Sequence, residues 1–205
     1  MSGKEKWIII AILAVAFIFR FQGIVSIPPG LYPDEAMNGN NALVALETSD
    51  YKIFYPDNNG REGLFINLIA LSLKIFGPEI WAIRLVSAIF GVLTVLGLYL
   101  LVRLLFNWQI SSIASFYLAT SFWHVNFSRI GFRAIMVPFL MVWGFYFLWR
   151  GLRNFKFSDF ALSGIFFGLG FHTYIAFRFV PLIIILVLLA YWQRIKKDYS
   201  HERYI

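Results

Sequence analysis

An all-α, polytopic membrane protein with about six transmembrane helices is the fold class that three features of this sequence predict. Of its 205 residues, 60% are hydrophobic and only 14% are charged, whereas soluble domains average about 45–50% apolar and about 25% charged. The apolar residues gather in runs long enough to enter a bilayer, and the basic residues recur at the ends of those runs. This composition excludes a disordered chain and a basic soluble nucleic-acid binder, and the absence of cysteine excludes a disulfide-stapled secreted module. The net charge of +7 therefore reads as topology, and no nucleic-acid partner is expected.

The first run, Trp7 to Val25, follows Lys4 and Lys6 and is interrupted by Arg20 and Gln22. Its Ala14-Val15-Ala16 lies inside the run, which argues for a retained anchor over a cleaved signal peptide. Arg20 is expected to snorkel toward the interface. Four longer runs follow: Ile80 to Val102, Ile110 to Val125, Ile135 to Trp149, and a block from Phe160 to Trp192. Leu64 to Phe76 is different, because thirteen residues at about 1.5 Å each reach only about 20 Å against a hydrocarbon core of about 30 Å.

Loop charge decides how that short run lies. If it does not span, Lys4 and Lys6, Arg103, the set Arg150, Arg153 and Lys156, and the set Arg194, Lys196 and Lys197 all share one side. If it spans, all but the first change sides. The positive-inside bias favours an interfacial or re-entrant segment. The block from Phe160 to Trp192 lies between two basic clusters, so it is expected to be a hairpin turning at Thr173 to Arg178. Both termini are then cytoplasmic, ten of the eighteen basic residues are cytoplasmic anchors, and residues 1–205 form a single transmembrane domain. Trp7, Trp149 and Trp192 are expected at the interfaces, and Gly164, Gly168 and Gly170 have the spacing of close helix packing.

The architecture leaves one long outer loop, 27–79, holding seven of the eleven acidic residues. Loops of this length without a fold of their own tend to be functional. Pro28-Pro29-Gly30 and Asn58-Asn59-Gly60 are turn signals within it, and Asp34 through Leu46 reads as a short helix capped by Asp34. The outer loop is thus expected to carry amphipathic, interfacial helices.

Three clusters on this outer face carry chemistry. In Asp34-Glu35, adjacent side chains diverge, so one carboxylate can face a substrate as a general base while the other holds backbone or a cation. The plainer alternative is a helix cap with a favourable dipole charge. Arg61-Glu62 precedes the short amphipathic run, where Arg61 at a helix N-terminus would suit a phosphate; a surface ion pair is the alternative. Ser128-Arg129-Ile130-Gly131-Phe132-Arg133 places two arginines on the outside, against the usual bias. With Arg84 and Arg178 they surround one face where a lipid phosphate or pyrophosphate would fit, headgroup snorkelling being the alternative. Asp34, Glu35 and Asp57 are oxygen donors of the kind a divalent cation takes, but three loop carboxylates do not make a site, so neither a metal nor another cofactor is assigned. His124, His172 and His201 lack metal-ligand spacing, and there is no Walker motif.

Taken together, Asp34-Glu35 after the first span, Gly60-Arg61-Glu62 before an amphipathic run, and Phe76-Gly77-Pro78 through Ala82-Ile83-Arg84-Leu85 resemble integral-membrane glycosyltransferases of the GT-C class. The likeness is to the protein mannosyltransferase and aminoarabinose-transferase group, glycosyltransferase family 39 and its relatives. Ser128 to Arg133 and Thr173 to Pro181 resemble a bacterial and archaeal branch of it. The resemblance implies transfer of a sugar from a polyprenyl-phosphate donor to a protein, lipid or glycan acceptor on the outer face of a prokaryotic cell membrane, with membrane lipids as surroundings. It implies Asp34 as base or acceptor-orienting group with Glu35 beside it, a donor site lined by Arg61, Glu62 and Arg84, and phosphate contacts from Arg129, Arg133 and Arg178. Gly63 stands where that branch usually has proline, and His172 where a tyrosine is common. The chain resembles an N-terminal portion of such enzymes. A lipid-linked-sugar flippase, a partner subunit or an inactive truncated fragment would share these features, and Asp34 is the residue that separates the enzyme from a flippase or subunit.

Overall fold

In a computed structural model, the backbone is described for residues 2–57 and 60–202 and the side chains as far as residue 192. Asn58, Asn59, the side chains of Arg194, Lys196, Lys197 and His201, and the end of the chain lie outside the described residues. The described chain is almost wholly helical, and three stretches are long and apolar enough to cross a membrane: Ile80–Leu105, Arg133–Asn154 and Ile175–Trp192.

Helix α1 (Gly3–Phe21) begins at Ser2, whose hydroxyl accepts the Glu5 N–H. Its Ile9, Ile12, Ala16 and Arg20 recur at helical spacing and are buried, while Trp7, Ile10, Phe17 and Ile18 face outward. It packs on α4 (Ile80–Leu105) and α5 (Trp108–Thr120), with Ile12, Ala16, Val95 and Ala119 at the contact. Helices α1 and α4 run antiparallel. At one end Tyr99 and Arg103 both donate to Glu5 Oε1, at 3.0 and 2.9 Å, and at the other Arg84 donates to the Ile24 carbonyl at 3.1 Å. One pass through α1 therefore leads directly to a return through α4, and everything between them lies at the same end.

That intervening segment contains α2 (Pro33–Thr48), a two-residue antiparallel hairpin of β1 (Phe54–Tyr55) and β2 (Arg61–Glu62), and α3 (Leu64–Phe76). Helix α3 has the bounds expected from its apolar run, ended by Gly77 at φ 87° and Pro78. It buries Phe65, Ile66, Ile69, Ala70 and Leu73 between α2 and α4, so at thirteen residues it is a packed element of the segment between α1 and α4. Helix α2 begins earlier than Asp34. Tyr32 is the N-cap and Pro33 occupies the first helical position, which its fixed φ suits. Asp34 is thus inside the first turn and does not cap it; Glu35 does, accepting the Tyr32 N–H at 3.2 Å.

The expected single span from Ile110 to Val125 is broken. Helix α5 ends at Thr120, Ser121 is extended (ψ 121°), and α6 (Phe122–Arg129) sets off in a new direction. The break leaves the last carbonyls of α5 short of helical partners, Leu118 keeping only a 3.4 Å bond from the Ser121 N–H, and Arg20 supplies further donors. Its guanidinium donates to the carbonyls of Ala119 at 3.0 Å and Leu118 at 3.4 Å, to Ala16 at 2.9 Å, and to His124 Nδ1 at 2.7 Å. Arg20 is therefore an internal cap with no solvent exposure, not a snorkelling residue. Gly91 of α4 makes room for it, since a Cβ there would stand 2.7 Å from Ser128 Cβ and 2.8 Å from Arg20 Nε.

A 3₁₀ turn (Arg133–Ile135) leads into α7 (Met136–Asn154), which pairs with α8 (Phe157–Gly170). Close packing here uses Gly144 and Gly151 of α7 against the rings of Phe167 and Phe160. Gly164 and Gly168 of α8 meet nothing within 4 Å, so the small-residue spacing read from the sequence faces open space; only Gly170 is crowded, by Phe177. Arg150 grips buried Asp159 through two hydrogen bonds of 3.0 and 2.6 Å. The hairpin turns at residues 171–174, passes through a 3₁₀ turn (Ile175–Phe179) and continues as α9 (Val180–Glu202). The outward residues of α9, including Leu182, Leu186 and Leu189, are exposed and apolar, a surface that hydrocarbon suits and water does not.

Candidate active site

The first turn of α2 places Asp34 and Asn38 one above the other at i, i+4. Phe132, Arg133 and Tyr174 close the space in front of them, and the five side chains line a polar cavity of about 80 Å³. Behind Asn38 lies Arg61, which is 2% exposed and donates from Nη1 to Asn38 Oδ1 at 2.8 Å. Its Nε and Nη2 have no hydrogen-bond partner among the described residues. Burial pushes the Arg61 guanidinium below its ordinary pKa, the nearby Arg133 cation pushes the same way, and Asp57 and Asp34 oppose both. Glu62, buried beside Arg61 on β2, takes a 3.0 Å hydrogen bond from Arg133 Nη1, and the Arg133 guanidinium lies 5.3 Å from the Tyr174 ring centroid.

Backbone contacts hold the arginine motif against α2. The Gly131 N–H donates to Glu35 Oε1 at 3.0 Å and the Gly131 carbonyl accepts from Asn38 Nδ2 at 2.8 Å. A Cβ at Gly131 would come within 2.6 Å of Ile83 and 3.1 Å of Glu35, so only glycine allows this approach. Glu35 has no exposed surface and is forked to Arg84, with Nε–Oε1 at 2.8 Å and Nη2–Oε2 at 3.3 Å. Arg84 in turn donates to the carbonyls of Ile24 and Gly30. Arg129 makes a similar clasp, donating to Phe19 and Gln22 at 2.7 Å and to Ile27 at 3.0 Å. Both arginines satisfy carbonyls at the end of α1 and in the loop after it, where a cation is favoured.

Of the residues nominated from sequence, Asp34 and Arg133 line the cavity, and buried Arg61 and Glu62 lie behind it, bonded to Asn38 and Arg133. Glu35 and Arg84 form a buried brace beneath it, and Arg129 braces the loop before α2. Arg178 is exposed on the second 3₁₀ turn and makes no hydrogen bond or ion pair with the cluster among the described residues. Arg61 is not at a helix N-terminus, because it belongs to β2 and Gly63 is the N-cap of α3. Gly63 donates its N–H to the Ile53 carbonyl at 2.7 Å, a bond that a proline could not make. His172 contributes its carbonyl to the Leu64 N–H at 3.2 Å. Asn38, Gly131, Phe132 and Tyr174 belong to the same arrangement, and no charge marks them in the sequence. For Asn38 the signal was its position one turn after Asp34. Among the described residues no group of three His, Cys, Asp or Glu side chains is placed to hold a metal ion; Glu35 is turned to Arg84, and Asp57 accepts from Asn41 at 3.3 Å.

Residues 64–203 match the family of dolichyl-phosphate-mannose-protein mannosyltransferases, which is well over half of the chain. The chain belongs to this family. Asp34 and Glu35 precede the matched stretch. The chain is also 24% identical over 208 residues to YkcB of Bacillus subtilis (strain 168), which carries the name of a mannosyltransferase; the match takes in 96% of this chain and 28% of YkcB. The chain therefore spans little more than a quarter of that relative's length. No solved structure matches it. Membership of a membrane mannosyltransferase family accords with the long apolar helices of the fold.

Proposed function

We propose that this chain carries the outer-face transfer site of a membrane glycosyltransferase, moving a sugar, mannose by family, from a polyprenyl-phosphate donor to a hydroxyl on a protein, lipid or glycan acceptor. The observation that supports this reading most is Arg61, a buried guanidinium with two unpartnered edges, set beside a second cation at a polar cavity that also holds a carboxylate. The unpartnered Nε and Nη2 of Arg61 call for an acceptor, and a phosphate is an acceptor that a guanidinium fork fits.

In this reading Arg61 and Arg133 stabilise charge building on the leaving lipid phosphate as the bond from the sugar C1 to the phosphate oxygen breaks. Asp34 takes the acceptor hydroxyl proton as that oxygen attacks C1 from the opposite face, which inverts the configuration. Glu62 holds Arg133, and Tyr174 backs it. Glu35, Arg84 and Arg129 position the α2 turn and the arginine motif and do not touch donor. Arg178, on its exposed turn, is outside the site. The surrounding architecture is six crossings of a prokaryotic cell membrane, α5 and α6 making one broken crossing, with both termini cytoplasmic.

The test is transfer of radiolabelled mannose from polyprenyl-phosphate mannose by membranes containing the chain. Asp34→Asn is expected to lower transfer by about 10²- to 10⁴-fold, the contribution of a general base, while leaving lipid-phosphate binding intact. Equal transfer by wild type and Asp34→Asn would reject the catalytic role and favour a flippase or lipid-presenting subunit.

A further inference from the structure

Beside the polar cavity lies an apolar groove of about 410 Å³, lined mainly by Trp123, Phe127, Ile135, Val137 and Pro138 and closed by Tyr174 and Ala176. One feature of its wall does not fit a plain hydrocarbon slot. His124 lines the groove, is 9% exposed, and its Nε2 has no hydrogen-bond partner among the described residues. The tautomer is fixed by its other nitrogen. Arg20 Nη2 approaches Nδ1 at 2.7 Å, and a guanidinium can only donate, so Nδ1 accepts and the proton of the neutral ring is on Nε2. This N–H donor, held in place from behind by a fully buried arginine, thus stands unsatisfied in a wall that is apolar apart from Ser121 and Tyr174. Leaving such a donor unpaired in a ligand complex is costly.

We propose that this groove binds an ester-linked acyl lipid of the surrounding bilayer, with an ester carbonyl accepting from His124 Nε2–H and the acyl chain lying along Trp123, Phe127, Val137 and Pro138. A prenyl chain has no acceptor oxygen along its length and would leave the donor unpaired, whereas an acyl ester carries a neutral carbonyl at the head of an apolar chain. Entry from the bilayer is open, since Phe122 and Trp123 at the start of α6 are exposed by 74% and 67%. At the other end, Tyr174 separates the groove from the polar cavity and has the Arg133 cation over its ring, which places an anionic headgroup within reach of favourable charge. This site shares Tyr174 and the Arg133 cation with the sugar-transfer reading but uses none of Asp34, Arg61 or Glu62, and the comparison of diester with diether lipid reads His124 alone.

The experiment is native mass spectrometry of the full chain in detergent, titrated with diester phosphatidylglycerol, with the diether analogue of the same headgroup and chain length, and with polyprenyl phosphate as competitor. Wild type is expected to hold the diester lipid roughly 5- to 150-fold more tightly than the diether, the range for satisfying a buried donor. His124→Phe should bring the diester down to the diether level. Ala176→Trp, which fills the groove far from Arg20, should weaken both lipids. Equal affinity of wild type for diester and diether would overturn the proposal, as would unchanged binding by Ala176→Trp. Displacement of the diester lipid by polyprenyl phosphate in wild type, undiminished in Arg61→Gln, would also overturn it by assigning the groove to a prenyl chain.

Discussion

Asp34 and Glu35 are neighbours in sequence with opposite duties in the structure, and Glu35→Ala separates them. Glu35 has no exposed surface, and its carboxylate takes two bonds from Arg84 and one N–H each from Gly131 and Tyr32. Removing it leaves Arg84 as a buried cation with only the Ile24 and Gly30 carbonyls. Breaking a buried pair in this way costs about 3–5 kcal/mol. For a chain of this size each kcal/mol lowers the unfolding midpoint by about 2–4 °C, so the expected fall is about 6–20 °C. The assay is thermal unfolding of the detergent-solubilised chain. Glu35→Ala/Arg84→Ala is expected to be less destabilised than the sum of the single variants, because it removes the orphaned charge along with its partner. Asp34→Asn, a half-buried position at the cavity wall, should shift the midpoint by no more than a few degrees. A wild-type midpoint for Glu35→Ala, or strictly additive single effects, would refute the bracing role and return Glu35 to the reacting groups.

Other consequences follow from the same packing. Arg20→Met should lower the midpoint by more than about 6 °C, since it strips donors from the carbonyls of Leu118 and Ala119 and from His124 together; Arg20→Lys should fail to restore it, because a single ammonium cannot reproduce the fork. Gly131→Ala has no room between Ile83 and Glu35 and should lower both the unfolding midpoint and lipid-phosphate binding, measured in parallel. Gly164→Ala and Gly168→Ala, which meet only open space, should leave the midpoint unchanged or raise it slightly, since alanine favours the helix by up to about 1 kcal/mol.

Local chemistry made much of the fold legible. The bounds of α3 follow from thirteen apolar residues ended by Gly77-Pro78, and the return from α1 to α4 at one end follows from where the basic residues fall. Four members of the polar cluster, Asp34, Arg61 and Glu62 between α1 and α4 and Arg133 between α6 and α7, stand out in the sequence as charges with no structural need to be there. Other features have their causes in distant partners. The break at Ser121 depends on Arg20, about a hundred residues away, and neither residue announces the other; Arg20 at the end of an apolar run looks like a snorkelling arginine until the freed carbonyls of α5 are beside it. The division between Asp34 and Glu35 depends on Tyr32 being the cap, which turns the third helical residue back to the backbone. Gly164 and Gly168 have the spacing of a packing face, but spacing cannot say which face of α8 meets α7, and Phe160, Ser163 and Phe167 are the residues on that side.

The central claim is that the buried arginine at the polar cavity binds a lipid phosphate, and the most direct measurement is the affinity of the full chain for polyprenyl phosphate, compared between wild type, Arg61→Gln and Arg178→Gln. Loss of charge-assisted hydrogen bonds predicts binding weakened by about 10- to 150-fold in Arg61→Gln, with Arg178→Gln, the same charge change on an exposed turn, binding as wild type. Undiminished affinity in Arg61→Gln, or a loss in Arg178→Gln as large as that in Arg61→Gln, would contradict it.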